Sequence, residues 1–218
     1  MGLHKSNICL NKIGIYNGIK RGADVISAMT LLGISSPLFI IFGALIKSKD
    51  SGPCFFIHDR VGLKGRRIRV IKFRSMQVGA EDLERTLCDE DIKEYYKEYK
   101  LNVDPRVTKI GRKLRMTYMD ELPQLINVLR GDMSMVGPRP ITDGEFAFYS
   151  EEEINKLLSV KPGLTGYWQV YGKSHANYQN GLRQKMELYY AENASIMLDA
   201  SILLKTPTVL FKKQTFSK

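Results

Sequence analysis

Residues 25–46 read VISAMTLLGISSPLFIIFGALI, a stretch of 22 residues without a charge in an otherwise basic chain. As an α-helix it would be about 33 Å long, which is enough to cross the hydrocarbon core of a bilayer. It begins too late for a secretory signal, and no small-residue cleavage site follows it. The stretch therefore predicts a membrane helix.

Charges at both ends of this stretch bear on how it enters the membrane. Basic residues stand before and after it: Lys20, Arg21, Lys47 and Lys49. Because positive charge favours the cytoplasmic side, both ends are drawn to the same side. A re-entrant hairpin would satisfy this preference at both ends. Length and composition by themselves favour a mildly kinked single-span anchor over the hairpin, and a buried core helix is the third interpretation.

The centre of the stretch favours a bend. Pro37 cannot donate a hydrogen bond to the Gly33 carbonyl, and its ring crowds that oxygen, so a kink is expected. The hydroxyls of Ser35 and Ser36 can satisfy carbonyls that the proline frees and that hydrocarbon would otherwise penalise. We therefore expect the membrane helix to break at Ser36 and Pro37.

Composition limits the class of protein. The 218 residues include 33 Lys and Arg against 23 Asp and Glu, a net charge of +10, and 44% are hydrophobic. Such a chain can bury a core and is not disordered. Its basic excess suits nucleic acid, acidic substrates or an anionic membrane surface. Cys9, Cys54 and Cys88 form no CxxC motif, so a reducing compartment such as the cytoplasm is expected.

The remaining segments predict a helix-rich α+β domain. Residues 54–76 are strand-like, and Gly62 and Gly65 flank a hairpin turn. Helices are expected over 81–100, 120–131, 150–158 and 178–192. The tail, 200–213, suits either an interfacial helix or a segment packed on the core. No GxGxxG motif supports a Rossmann domain.

The predicted hairpin is strongly basic. Between residues 60 and 74 it has no acid and seven basic residues: Arg60, Lys64, Arg66, Arg67, Arg69, Lys72 and Arg74. A solvated basic face is one interpretation. A surface that faces lipid phosphates or a diphosphate substrate is the other.

Adjacent carboxylates at Asp120 and Glu121 precede a predicted helix. Acids at that position commonly cap the helix and complement its dipole. Alternatively, one of them attacks phosphorus. An anion that approaches an anionic diphosphate needs cations nearby, which Arg115 and Arg139 with Mg²⁺ would supply.

Pro138 and Pro140 fix the backbone on both sides of Arg139. A guanidinium presented in this way suits a phosphate or the edge of a uracil, because its donors form a rigid fork. A solvated arginine in a proline-bounded turn is the simpler alternative.

The order of these segments resembles the bacterial sugar transferase family, the monotopic polyprenyl-phosphate phosphoglycosyl transferases. Besides the Ser-Pro membrane segment, four blocks carry the resemblance: GPCFFIHDRVGLKGRRIRVIKFRSM (52–76), DPRVTKIGRKLR (104–115), DELPQLINVLRGDMSMVGPRP (120–140) and KPGLTGYWQV (161–170). The resemblance covers roughly residues 18–210, and the third block is highly specific for this family.

The resemblance implies a chemistry for these residues. Asp120 is expected to attack the β-phosphorus of a UDP-sugar, so that UMP leaves and undecaprenyl phosphate then takes the sugar-phosphate in a ping-pong sequence. Glu121 is expected to hold Mg²⁺ with Asp120 or to position groups. Arg139 is expected to bind the nucleotide and Arg115 the polyprenyl phosphate. Other residues expected to bind substrate are Arg74, Arg112, Pro138 and Pro140.

The resemblance also implies an organisation and a location. An N-terminal segment (1–18), a re-entrant membrane helix (19–49) and a cytoplasmic catalytic domain (50–218) are expected at the cytoplasmic face of the bacterial inner membrane. Membrane phospholipid is an expected partner and nucleic acid is not, whereas a homodimer is left open.

The chain departs from the family pattern at His58, Lys173 and Glu187. Its WQV block and its YY and LKT segments look most like the hexose-1-phosphate transferases. The rival interpretation is a basic, membrane-anchored binding protein without catalysis, in which Asp120 only caps a helix. UMP release separates the two interpretations.

Overall fold

The structure is a computed structural model that describes residues 2–49, 51–172 and 174–211, with side chains described between residues 14 and 209. Its helices are α1 (Gly2–Lys47), α2 (Leu83–Thr86), α3 (Asp89–Glu98), α4 (Lys109–Met116), α5 (Gln124–Arg130), α6 (Glu151–Leu157), α7 (Tyr167–Tyr171), α8 (Leu182–Asn193) and α9 (Ile196–Phe211). Its strands are β1 (Phe55–Val61), β2 (Arg67–Phe73), β3 (Ser134–Val136) and β4 (Gly163–Thr165). The expected helix-rich class with a small hairpin is confirmed, and the domain boundaries stay predictions.

Residues Gly2–Lys47 are helical throughout, so Ser36 and Pro37 do not end the helix, and α1 is not divided into two separate helices. The reason is local. Ser36 Oγ donates to the Gly33 carbonyl oxygen at 2.9 Å, which is the acceptor that Pro37 cannot reach, and Ser35 Oγ donates one turn back at 2.6 Å. The expected role is therefore confirmed for Ser36, whereas Ser35 donates to the Leu31 carbonyl, which Pro37 does not free. The re-entrant topology stays a prediction, as does the side of the membrane on which each end of α1 lies.

One face of α1 is held by the globular part of the chain. The Arg21 guanidinium donates to two carbonyl oxygens in the last turn of α5, at 2.6 and 2.7 Å. Asp24 accepts hydrogen bonds from Ser134 Oγ at 3.0 Å and from the Met135 N–H at 2.9 Å, both on β3. Polar contacts therefore fix the first half of the predicted membrane helix to the domain.

The second half of α1 packs through aromatic rings. Phe39 and Phe42 lie against Phe73 of β2, with ring centroids 5.1 and 5.7 Å apart. Ile46 and Leu114 are buried beside them. The contacts of α1 with the domain thus extend from Tyr16, whose hydroxyl donates to Asp199 of α9 at 2.9 Å, to the last turn of α1.

The opposite face of α1 is apolar and exposed. Its large exposed side chains include Ile26, Met29, Ile34, Ile40, Ile41 and Leu45. By length and composition, Gly14–Lys47 could cross a membrane, with a mean hydropathy of 2.1 in its most apolar window. Only 11% of that window is buried, so the interpretation as a buried core helix is not supported.

The predicted hairpin is confirmed, and its register defines one face. Strands β1 and β2 pair antiparallel, with His58 opposite Val70 and Arg60 opposite Ile68. Since side chains alternate along a strand, His58, Arg60, Val70 and Lys72 share one face of the hairpin. Ile68 and Val70 join the main core with Leu125 and Val128 of α5 and Met133 and Val136 around β3.

A parallel pair of short strands, which the sequence did not predict, holds the loops around the site. β3 and β4 align Ser134 with Gly163. Two further hydrogen bonds extend the pairing, from the Gly137 N–H to Thr165 at 2.9 Å and from the Gly163 N–H to Pro138 at 2.8 Å. An added Cβ at Gly163 would overlap the Gly137 nitrogen, so only glycine allows this approach.

Two predicted helices differ in their bounds, and a third is confirmed. The segment 81–100 forms α2 and α3, because the backbone is extended at Leu87 and Cys88. The segment 178–192 begins as a helix only at Leu182, since Asn177 and Asn180 form reciprocal side-chain hydrogen bonds before it. The segment 150–158 is confirmed as α6, which begins with a capping box at Ser150.

The predicted helix at 120–131 also begins later. Asp120 lies in a 3-10 turn over Met119–Glu121, and α5 starts at Gln124 after Pro123. The predicted end is confirmed, because Gly131 adopts a φ of +84° at the C-terminus of α5. The carboxylate pair therefore precedes the helix and is not part of its first turn.

The tail packs on the core, as one of its two interpretations expects, and its interfacial role stays a prediction. Helix α9 packs on α7, β3 and β4 and buries Ile202, while Met197 and Leu204 are exposed. Lys205 lies over the Tyr171 ring at 4.4 Å. Lys212 and Lys213, which belong to the expected interfacial segment, lie outside the described residues.

Candidate active site

A cleft of about 300 Å³ opens between the hairpin, the start of α5 and the loops beside β3 and β4. Its walls are formed by Arg60, Val70, Lys72, Glu121, Gln124, Arg139, Pro140, Gly163, Leu164 and Gln169. Three of the predicted site residues thus line one cleft: Glu121, Arg139 and Pro140. Asp120 directly precedes Glu121 in the chain.

Lys72 brings a cation from the hairpin to the carboxylate pair. Its Nζ lies 2.6 Å from Glu121 Oε1, and both side chains are about one fifth to one quarter exposed. An ion pair at this exposure contributes little to stability, so its main effect is to place positive charge beside Asp120. The strand alternation that turns Arg60 and Val70 into the cleft also turns Lys72 there.

Asp120 is 8% exposed, in a turn that follows Tyr118, which adopts a φ of +57°. Burial, and then the neighbouring Glu121 carboxylate, raise the pKa of Asp120 above its usual value. Lys72 and Arg115 act in the opposite direction. A buried carboxylate flanked by two cations can be ionised without being solvated, which is the state that a nucleophile needs.

Arg115 reaches Asp120 from α4. Its Nε donates to Ser75 Oγ at 2.9 Å, which orients the guanidinium at the end of β2. Burial lowers the pKa of Arg115, and the Asp120 carboxylate opposes that shift. Helix α4 lies so close to this strand end that an added Cβ at Gly111 would overlap the Ser75 carbonyl.

Arg139 enters the cleft from the opposite wall. Its backbone N–H donates to Glu187 Oε2 at 3.1 Å, whereas its guanidinium has no hydrogen-bonding partner within the described part of the chain. Burial lowers its pKa, but the Glu121 and Glu145 carboxylates prevail and the pKa of Arg139 is raised. A charged guanidinium whose donors make no hydrogen bond within the described residues is suited to an anionic ligand.

Glu145 connects the walls of the cleft behind Arg139. It is 2% exposed and accepts hydrogen bonds from Arg60 at 2.8 Å, from the N–H and hydroxyl of Thr142 at 2.7 and 3.0 Å, and from the Tyr178 hydroxyl at 2.9 Å. Arg183 lies 3.4 Å away. Burial raises the pKa of Glu145, yet Arg60, Arg139 and Arg183 outweigh it and the pKa is lowered. Arg60 also donates to the Pro140 carbonyl at 3.2 Å, which ties the hairpin to the proline loop.

His58 and Glu187, two of the departures from the family pattern, lie beside this cluster. Arg60 Nη2 lies 3.1 Å from His58 Nδ1, and burial, Arg60 and Lys72 lower the pKa of His58 to about 4. His58 is therefore neutral at pH 7. Lys173, the third departure, lies outside the described residues.

Two predicted substrate-binding residues lie elsewhere. Arg74 is buried, donates to the Pro53 carbonyl at 2.6 Å and lines a second cleft of about 220 Å³ with Ile46 and Lys49. Arg112 is exposed on α4. Pro138 is buried and holds β4 through its carbonyl. The structure brings neither Arg74 nor Arg112 into the cleft that contains Arg139.

The sequence of this chain has counterparts among known proteins. A sequence model described as bacterial sugar transferase matches residues 15–213. The chain belongs to the bacterial sugar transferase family. The predicted family is thereby confirmed.

Relatives of this bacterial sugar transferase include longer proteins. It is 39% identical over 198 residues to an undecaprenyl-phosphate galactose phosphotransferase of Salmonella typhimurium, an alignment covering 89% of this chain and 41% of the relative. It is 39% identical over 201 residues to the exopolysaccharide production protein ExoY of Rhizobium meliloti, covering 90% of this chain and 88% of the relative. It is 36% identical over 200 residues to a UDP-N-acetylgalactosamine-undecaprenyl-phosphate N-acetylgalactosaminephosphotransferase of Aeromonas hydrophila, covering 88% and 43%. The chain thus spans about two fifths of the length of several relatives.

The carboxylates of this family member fit a magnesium ion shared with substrate. Within residues 14–49, 51–172 and 174–209, no group of three or more His, Cys, Asp or Glu side chains is placed to hold a metal alone. Mg²⁺ in phosphoryl-transfer sites commonly uses one or two carboxylates together with substrate phosphates. Asp120 and Glu121 provide that donor set at the edge of the cleft.

Sequence reasoning missed several residues of the transferase site. Arg60 and Lys72 were noticed as part of a basic hairpin but not assigned to the site. Their shared strand face was available from the alternation of side chains. Glu145 and Gln169 reach the cleft through contacts distant in sequence, and no local pattern indicated them.

Proposed function

We propose that this chain transfers a sugar-1-phosphate from a UDP-hexose to undecaprenyl phosphate and releases UMP, at the start of glycoconjugate assembly. The proposal rests on Asp120, which is buried between the charges of Lys72 and Arg115. Next to it lies a cleft in which the Arg139 guanidinium can bind an anion. A helix cap alone needs neither the burial nor the surrounding cations.

Asp120 is the nucleophile in this proposal. One of its carboxylate oxygens bonds to the β-phosphorus, the bond from that phosphorus to the bridging oxygen breaks, and UMP leaves with the electron pair. Undecaprenyl phosphate then attacks the same phosphorus. The Asp120–phosphorus bond breaks, the carboxylate is restored, and the product is a polyprenyl-diphospho-sugar.

The surrounding cations have distinct roles. Lys72 and Arg115 favour the ionised form of Asp120 against the effects of burial and of Glu121, and Arg139 binds the diphosphate of the donor. Glu145 holds Arg60 and the Pro140 loop so that the cleft is already formed before substrate enters. Fixed charges of this kind stabilise a developing anion without reorganisation.

We further propose that Asp120 and Glu121 would hold Mg²⁺. When bound, the ion supplies positive charge to the donor diphosphate. Because Glu121 Oε1 is paired with Lys72, the lysine also keeps that carboxylate oriented before any ion binds.

The packing of α1 supports a monotopic arrangement at the cytoplasmic face of the inner membrane. Its contacts with the domain run from Tyr16 to Ile46, which along a helix is about 45 Å. If α1 stood upright across the bilayer, this attached domain would be drawn into hydrocarbon with its basic hairpin. We therefore propose that α1 enters and leaves one leaflet, with its exposed apolar face toward lipid.

The names of two relatives support a hexose-type donor. One is called a galactose phosphotransferase and another an N-acetylgalactosaminephosphotransferase, and both names include undecaprenyl phosphate. We propose UDP-galactose or UDP-glucose first and UDP-N-acetylgalactosamine as the next donor to test.

The deciding experiment measures UMP release by purified protein in detergent, with Mg²⁺, undecaprenyl phosphate and each UDP-sugar in turn. Asp120→Asn should abolish release with the active donor, and without acceptor the wild type should gain the mass of one sugar-phosphate. Asp89→Asn, an exposed carboxylate at the start of α3, is the matched control and should keep full activity.

Equal UMP release by the Asp120→Asn variant would remove Asp120 as nucleophile. Silence of a folded wild type with every donor would instead favour a membrane-anchored binding protein.

A further inference from the structure

The wall of the cleft contains a buried polar atom that nothing in the protein satisfies. Gln169 Oε1 is inaccessible to solvent and has no hydrogen-bonding partner within the described part of the chain. A buried carbonyl acceptor without a donor costs free energy, and native proteins retain few of them. Neither the proposed nucleophile nor the cations explain this one.

The position of Gln169 is fixed by the backbone around it. It lies on α7, which begins after Gly166, and an added Cβ at Gly166 would lie 2.7 Å from Gln169 Oε1 and overlap the Gly137 carbonyl. The close approach of Gly166 to Gly137 therefore seats α7 beside the proline loop. This contact places the Gln169 carboxamide in the same wall as Arg139.

The surroundings of Gln169 differ from those of the cations. Leu164, Val70 and Pro140 supply the apolar part of the cleft wall. Lys72, Arg60 and Arg139 suit the diphosphate of the donor, whereas a neutral amide beside apolar side chains suits an uncharged part of a ligand. A carboxamide offers both an acceptor and donors, so it can pair with a hydroxyl or with an imide.

We propose that Gln169 is a specificity residue that hydrogen-bonds the uncharged portion of the nucleotide-sugar donor. This inference rests on the proposed function for the identity of the ligand. Two uncharged groups of the ligand can donate this hydrogen bond to Gln169: a hydroxyl of the hexose or the imide N–H of the uracil.

Stability and binding should respond in opposite ways to a change at this position. A glutamine that served the fold would make the protein less stable when replaced by an apolar side chain of similar size. A glutamine that waits for a ligand loses nothing in the free protein, because its acceptor has no partner there. Replacement should then weaken binding and leave thermal stability unchanged or higher.

The test is Gln169→Met, measured by calorimetric binding of UMP and of the UDP-sugars to the full chain in detergent, without acceptor and without turnover. We expect affinity for the UDP-sugar to fall about five- to tenfold, the effect of one neutral hydrogen bond, with no fall in melting temperature. Gln179→Met, at an exposed glutamine before α8, is the matched control and should change neither quantity.

Comparing the binding of UMP with that of the UDP-sugar distinguishes the hexose hydroxyl from the uracil imide. Weaker binding of the UDP-sugar with unchanged UMP binding assigns Gln169 to the hexose, whereas an equal loss for both assigns it to the uracil. Unchanged binding of every ligand, or a melting temperature that falls with the loss of affinity, would overturn the proposal. Because binding is read without catalysis, failure of Asp120 as nucleophile would leave this result intact.

Discussion

At the scale of single residues, the buried charges behind the cleft are the most demanding feature of the molecule. Glu145 faces Arg60 and Arg183 with side chains 3% to 13% exposed. Arg183 in turn lies 4.4 Å from the Trp168 ring and 3.9 Å from the Tyr178 ring. Charges this deep are tolerated only because each has an opposite charge or an aromatic face beside it.

Replacing Glu145 with glutamine should therefore be costly. Glu145→Gln keeps the size of the side chain but leaves Arg60 and Arg183 without a buried counter-charge, so we expect the free energy of unfolding to fall by about 3 kcal/mol. Urea denaturation in detergent measures it. Glu94→Gln, which breaks the half-exposed pair with Lys97, should cost less than about 0.5 kcal/mol. Equal losses in the two variants would contradict the role given to Glu145.

Glu187 predicts a pH dependence of stability. Burial raises its pKa from 4.5 to about 7, and its Oε1 has no partner among the described residues. Since the folded state binds this proton more tightly, the stabilisation is complete below about pH 4.5 and is lost as the pH rises through about 7. The contribution is about 3 kcal/mol.

Glu187→Gln should remove that dependence. The variant should be more stable than the wild type at pH 8 and equal to it near pH 5, as read from urea midpoints over this range. Glu192→Gln, at a half-exposed position on the same helix, should follow the wild-type profile. If the wild-type and Glu187→Gln profiles are parallel, Glu187 is ionised in the folded protein.

At the scale of elements, the cleft depends on how closely short segments approach one another. Helix α4 can place Arg115 at Asp120 because Gly111 lets its backbone lie against Ser75. Gly137, Gly163 and Gly166 allow the same closeness between the proline loop, β4 and α7. The site is therefore assembled by backbone contact as much as by side chains.

Because of these close contacts, replacing glycine with alanine should have opposite effects on stability at Gly111 and at Gly18. Gly111→Ala should lower the free energy of unfolding by about 3 kcal/mol, because the new methyl group overlaps the Ser75 carbonyl. Gly18→Ala, in an open stretch of α1, should raise it by up to about 1 kcal/mol through helix propensity. Thermal denaturation in detergent compares the two, and a stable Gly111→Ala variant would contradict this packing.

Local patterns account for the elements that the sequence predicted. Gly62 and Gly65 marked the hairpin, and Gly131 marked the end of α5, because turns and helix ends need special backbone angles. The pair β3 and β4 escaped prediction, since strands of only three residues are too short to show an alternating pattern. The cleft was predicted in part: Asp120, Glu121 and Arg139 came from motifs, whereas Lys72 and Glu145 depend on pairing between distant segments.

At the scale of the whole molecule, the long attachment of α1 to the domain governs topology. We predict that tags near Gly2 and at Lys218 lie on the cytoplasmic side together. A third tag before α6, near exposed Glu151, marks the side of the globular domain. Labelling with a membrane-impermeant reagent, in intact and in opened cells, should give the same pattern for all three. A Gly2 tag that reacts in intact cells, with the other two protected, would restore the single-span anchor.

The short parallel pair of β3 and β4 also has a consequence for how the chain can change in length. It joins the two ends of the segment between Pro138 and Pro162, which includes α6. The entropy of closing a loop grows only slowly, by about 0.6 kcal/mol for each doubling of its length. Extra residues inserted at the exposed start of α6 would therefore leave in place both the pairing of β3 with β4 and the carboxylate pair, Asp120 and Glu121. This segment can therefore gain residues, and with them new surface, while the residues of the cleft keep their positions.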